Sequence, residues 1–176
     1  MKSPVTVVLA AAGVSPWVPL DYIGLAFGIG LGFSVDSAAS GISAKVQHTF
    51  SDLAPHPVTF AQAATTVTIT DPLHDLITGD SAVILGSAPY ATTGFDGTYP
   101  VTVTGVNTYT VTVTPSQSAS GQLQVATLRV FDHPTMTGMT ARADGNYAFP
   151  VKAVRLNVTA WTAGRAILDL IQGQGR

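Results

Sequence analysis

Between Ile23 and Val35 every second residue is bulky and apolar, and every residue between them is Gly, Ala or Ser. Alternation with a period of two puts Ile23, Leu25, Phe27, Ile29, Leu31, Phe33 and Val35 on one face of a strand and leaves the other face almost bare. A helix cannot carry this pattern, because its apolar positions recur about every three to four residues. Interior glycine weakens a strand and marks places where another backbone or surface comes close. Gly24, Gly28, Gly30 and Gly32 therefore read as a flattened contact face, the candidate interface of this chain.

The remaining sequence agrees with an all-β protein. Ile42, Ala44, Val46, His48 and Phe50 alternate with Ser43, Lys45, Gln47 and Thr49, giving one core face and one polar face. Short strands are expected at Thr65–Thr70, Ala82–Leu85, Thr98–Val103 and Tyr109–Thr114, with turns at Asp71-Pro72, Gly79-Asp80, Asp96-Gly97 and Val106-Asn107. Ser116–Gly121 reads as a flexible return. Leu128–Phe131, Tyr147–Phe149, Val151–Thr159 and Ala166–Gln172 supply further strands. All ten acids are Asp and only three residues are Lys, so the usual surface-helix formers are scarce.

Charge separates two kinds of sequence. Residues 58–127 hold four Asp and no Lys or Arg, a net charge of −4, whereas 1–57 and 128–176 together carry all eight basic residues and six Asp, a net +2. Neither flank alone is long enough to bury a core, so one discontinuous domain with an insertion fits better than three consecutive pieces. Charged residues make up 10% of the chain against roughly 25% in an average soluble domain. So little charge on a chain that is 46% hydrophobic suggests a surface covered by partner chains. A net charge of −2 argues against nucleic acid as the main partner. With no cysteine, disulfides, thiolate zinc sites and a cysteine nucleophile are excluded.

Lys2 and the apolar run to Ala12 have the outline of a secretory signal, but Pro4 interrupts it early and none is expected. Tyr22–Phe33 is far shorter than the ~20 residues of a spanning helix, so no membrane partner is expected either.

Chemistry is hard to place. Gly28-Ile29-Gly30-Leu31-Gly32 is G-x-G-x-G, not the dinucleotide G-x-G-x-x-G, and no helix follows to meet a phosphate. His48, His56, His74 and His133 form no H-E-x-x-H or comparable ligand pair. His74 with Asp71, Asp75 and Asp80 is nearest to a metal cluster, yet reads better as a polar turn in which Asp71 and Asp80 bond to backbone. Asp132-His133 has no G-x-S-x-G or other nucleophile setting to serve. The ten Asp look structural, although folding could bring two together as hydrolytic acids. Arg142, Lys152, Arg155 and Arg165 read equally as partner-facing or solvated, and Trp17 and Trp161 as core plugs before sugar platforms. No catalytic residue, metal or cofactor is expected.

Trp17-Val18-Pro19-Leu20-Asp21-Tyr22 and Ala44-Lys45-Val46-Gln47-His48-Thr49-Phe50-Ser51-Asp52 resemble the first half of small tailed-bacteriophage virion proteins. Phe131-Asp132-His133-Pro134, Gly145-Asn146-Tyr147-Ala148-Phe149-Pro150-Val151, Ala153-Val154-Arg155-Leu156-Asn157-Val158 and Leu170-Ile171-Gln172 resemble their second half. In that group the halves follow one another directly, so residues 58–127 are a departure. That segment is similar to small β-domains of phage tail and fibre proteins through His74–Asp80 and Asp96-Gly97-Thr98-Tyr99.

The resemblance implies a non-enzymatic structural component of the virion. The fold expected is a jelly-roll-like β-sandwich from 1–57 plus 128–176, carrying a small inserted β-barrel or β-sandwich at 58–127. Its expected role is capsid decoration or cementing: the chain binds the major capsid protein at the shell surface, self-associates (most simply as a trimer), and passes through the host cytoplasm during assembly. A tail, connector or fibre-base component is the alternative within the same class. A carbohydrate-binding module or a cell-wall hydrolase is the alternative outside it.

Overall fold

The computed structural model describes residues 4–21 and 28–173. Among them there is no helix, and every strand pairing is antiparallel. The first strands are β1 (Val5–Leu9), β2 (Gly13–Val14), β3 (Val18–Pro19), β4 (Ile29–Val35) and β5 (Ser43–Thr49). Then come β6 (His56–Thr70), β7 (Ser81–Leu85), β8 (Gly97–Pro100), β9 (Thr102–Gly105) and β10 (Thr108–Leu128). The chain closes with β11 (Phe131–Asp132), β12 (Ala143–Tyr147), β13 (Ala153–Ala160) and β14 (Ala166–Gln172). It divides into two compact units: Met1–Phe50 with Phe131–Arg176, and Ser51–Val130.

The discontinuous unit contains two sheets, ordered among the described residues β1-β14-β4-β12 and β11-β5-β13-β2, with β3 also on β13. β2 and β3 lie along the same edge of β13, opposite Asn157–Val158 and Ala153–Val154, so they act as one interrupted strand. Counted that way, one sheet runs first-eighth-third-sixth and the other second-seventh-fourth-fifth in the unit's own chain order. Alternation supplies the core. Ile29, Leu31, Phe33, Leu168 and Leu170 of one sheet share a buried cluster with Ala44, Val46, Val154, Leu156 and Val158 of the other. Each large aliphatic buried there contributes about 1.5–3 kcal/mol.

The inserted unit is one five-stranded sheet among the described residues, ordered β6-β10-β7-β8 with β9 also on β10. Fully extended, the 15 residues of β6 would span about 50 Å at ~3.3 Å each. Yet His56 Nε2 at its start lies 3.1 Å from Asp71 Oδ1 just past its end, so the strand doubles back. The bend sits where the β6–β10 register slips between Thr112 and Gln117. There Ala64 takes a φ of 54°, a left-handed value that costs a non-glycine residue energy. Gln62 pins the corner by donating to the carbonyls of Ala64 (2.8 Å) and Pro115 (2.7 Å). Both halves then line one core of Phe60, Val67, Ile69, Ile84, Tyr109 and Val125.

Several local expectations differ from what forms. Ser116–Gly121 lies inside β10, where Gln117–Gly121 pairs with Phe60–Ala64; its small polar side chains suit a strand with one wet face. Thr98–Val103 breaks into β8 and β9 around Val101, which turns inward. Phe50, expected on a core face, lies beyond the end of β5 and is 47% exposed. The unit boundaries fall at 50/51 and 130/131, so the charge steps at 57/58 and 127/128 cut through the ends of β6 and β10.

Candidate interface

β4 is an inner strand, held by β14 on one side and β12 on the other. Ile29, Leu31 and Phe33 point into the core, so the pleat turns Gly30 and Gly32 outward. Gly30 sits between Ile171 and Asn146, and Gly32 between Asp169 and Asp144. Ile171 is 58% exposed, Val8 on β1 is exposed too, and Asp169 accepts a 2.6 Å hydrogen bond from the Thr6 hydroxyl. The result is a strip of bare backbone between an aliphatic flank and short polar side chains.

Among the described residues no contact accounts for these glycines. A Cβ on Gly30 would meet nothing nearer than the Ile171 carbonyl at 3.9 Å, and one on Gly32 nothing nearer than Asp169 Cβ at 4.0 Å. A Cβ on Gly28 would stand in open space. None of the three needs a left-handed backbone. Gly145, on the core side of β12, is different: a Cβ there would strike Met136 Sδ at 2.6 Å. Gly24 lies outside the described residues.

The titratable groups serve architecture. His133 Nδ1 accepts the backbone N–H groups of Thr135 and Met136, each at 3.2 Å, and its Nε2–H donates to the Asn146 carbonyl. His74 repeats the device, with Nδ1 accepting Leu76 N–H at 3.0 Å and Nε2–H donating to the Gly105 carbonyl. Each ring stands edge-on to a buried tyrosine, Tyr147 and Tyr109 respectively. Burial pushes both phenols up, with the Asp71 charge adding to the effect at Tyr109. His48 pairs with the Tyr147 hydroxyl at 3.1 Å. Burial first, then the neighbouring His133, holds His48 below the ordinary 6.5, against the pull of Asp132.

The cluster of His74, Asp71, Asp75 and Asp80 is dispersed into such roles. Asp80 accepts the N–H groups of Ile77 (3.0 Å) and Val130 (2.8 Å), whereas Asp71 turns to His56. Among the described residues no three side chains of metal-binding type converge. Burial pushes the Asp96 carboxyl up, but hydrogen bonds from Ser87 and Gly86 outweigh it and hold the group low. Trp161, expected in the core, is 38% exposed and caps a turn by donating to the Gly164 carbonyl at 3.0 Å.

Two features of this unit escape a pattern search. Phe50, Phe131 and Phe149 are exposed, yet each lies within about 6 Å of the buried His48 ring, at 5.2, 5.7 and 6.0 Å between centroids. On β5 and β13, Gln47 donates to Asp132 (2.8 Å) and accepts from Arg155 (2.9 Å) and Asn157 (3.2 Å). The signal for both lay in isolated residues that only the β5–β11 and β5–β13 pairings bring together. Compared with known proteins, the chain matches no family model and no curated protein sequence.

Proposed function

We propose that this protein is a non-enzymatic structural component of a tailed-bacteriophage virion, a decoration protein that cements the assembled shell. The observation carrying this reading is the outer face of the β1-β14-β4-β12 sheet. Glycine inside a strand is worse than alanine by roughly 0.5–1 kcal/mol, and nothing among the described residues repays that at Gly30 or Gly32. The compensation then lies outside the chain, in a surface that approaches the bare strip more closely than any side chain would permit. Further support comes from the strand order, which suits an eight-stranded jelly roll, an architecture recurrent in viral capsids. In addition, residues that carry the resemblance to virion proteins pack together in two clusters on β5, Gln47 with Asp132 and Arg155, and His48 with Phe131 and Tyr147.

Cementing is a linkage effect. A protein that binds only the assembled shell stabilises it by mass action, and repeated sites multiply the gain. The test compares particles carrying the protein with particles stripped of it. Removal should lower the temperature at which shells open, re-addition should restore it, and quantified copy number should match a shell-wide set of symmetry axes. A handful of copies at one vertex, with shell melting unchanged, would place the protein in the tail instead.

A further inference from the structure

Arg155 is the most deeply buried cation among the described residues, 4% exposed on the side of β13 turned away from the core. A buried charge ordinarily has a counter-ion, since desolvating it alone is expensive. Here the carboxylate whose field reaches it is shared with other donors. The nearby carboxylate, Asp132, is committed to Lys45 Nζ at 2.8 Å and to Gln47 Nε2 at 2.8 Å. Among the described residues Arg155 makes one hydrogen bond, from Nε to Gln47 Oε1, which leaves the forked end of its guanidinium without an acceptor there. That guanidinium lies 4.5 Å from the centre of the Trp17 ring. The Trp17 indole N–H is also buried and has no acceptor among the described residues. A buried indole N–H without an acceptor among the described residues is thus stacked against a guanidinium fork that bonds to none of them.

We propose that Trp17 and Arg155 form a receptor for the carboxylate of an acidic side chain on a protein partner. A planar fork beside a single N–H matches two carboxylate oxygens, and such charge-assisted pairs are the strong ones. Phosphate fits poorly: Lys45 is already engaged, and the adjacent Asp132 charge repels a dianion more than a monoanion. Buried Trp and Arg anchors of this kind dominate the energetics of protein interfaces. Burial pulls the Arg155 guanidinium down to about 10 against the favourable field of Asp132, as expected for a cation still short of negative charge. The site is independent of the glycine face, since it lies on the other sheet.

The two tryptophans provide the readout, because the Trp161 indole N–H is already bonded to Gly164. The intact protein is titrated with N-acetyl-aspartate amide, its asparagine counterpart and inorganic phosphate, following both indole N–H resonances by NMR. Aspartate amide should shift Trp17 saturably and leave Trp161 in place, and the asparagine compound should do neither. Arg155→Lys keeps the charge but loses the fork, and should weaken the aspartate response at least about tenfold. If that variant does not fold, Trp17→Phe keeps the stacked ring, and the Arg155 Nε–H resonance then reports the same weakening. Equal shifts at both tryptophans, no saturation, or phosphate binding as tightly as aspartate would each overturn the proposal.

Discussion

The discontinuous unit and the inserted unit are both antiparallel and charge-poor, yet they hold their folds by different means. The first sets two sheets over a shared aliphatic core, and each strand needs only its alternation to know which face goes in. The second has one sheet that must double back, and polar side chains make the corners: Gln62 at the β6 bend, Asp80 and His74 in the loop before β7, Asp96 and Ser87 in the loop after it. It tolerates left-handed Ala64, Leu73 and Asp75 because these hydrogen bonds hold the backbone there. Where pattern does the work, substitution should act through packing; where braces do it, through single lost acceptors.

The sharpest challenge to this contrast is to remove the inserted unit. His48 pairs with Phe131 across β5 and β11, so the insertion occupies what would otherwise be a hairpin connection. Joining Phe50 to Phe131 through an Asn-Gly turn should leave a soluble protein with β-type circular dichroism. An insoluble or unfolded product would mean that the units depend on each other. Next in size, Leu168→Ala empties a fully buried position of the aliphatic core and should cost ~2–5 kcal/mol. Calorimetry should show the loss in the discontinuous unit's transition alone. Asp80→Ala removes the acceptor for two backbone N–H groups in the inserted unit, a loss of about 1–3 kcal/mol. Amide exchange should quicken at Ile77 and Val130 without change in β4 or β14.

Acid should separate the units more gently. His48 has its folded value below 6.5, so the unfolded chain takes up that proton first. Its contribution is complete above 6.5 and is lost as the pH falls from there through the folded value. Asp132 and Asp96 are both held below 3.8, so what they contribute is lost only at lower pH still. Between those windows the discontinuous unit should weaken while the inserted one holds, as followed by methyl NMR signals of Leu168 and Ile84. Joint weakening of both would contradict the assignment to His48.

Alternation made the discontinuous unit legible: Ile29-Gly30-Leu31-Gly32-Phe33 announces both its core face and its bare face. The inserted unit was harder to read at its corners, because Gln62 and Gln117 look like ordinary polar residues until the fold sets them 3.1 Å apart. Ser116–Gly121 reads as a loop for a related reason. Small polar residues mark a loop and an exposed strand face alike, and only pairing with Phe60–Ala64 distinguishes them. Arg155 could be noticed in sequence, but its burial against Trp17 depends on β13 meeting the first edge of the chain.

The central claim is that the glycine strip serves an outside surface, and Gly30→Val tests it most directly. The added side chain has room, and valine favours a strand, so unfolding free energy should stay within about 1 kcal/mol of the parent. Binding to stripped particles, measured in parallel on the same preparation, should weaken at least about tenfold, or ~1.4 kcal/mol. A stable variant that binds particles as tightly as the parent would contradict the claim.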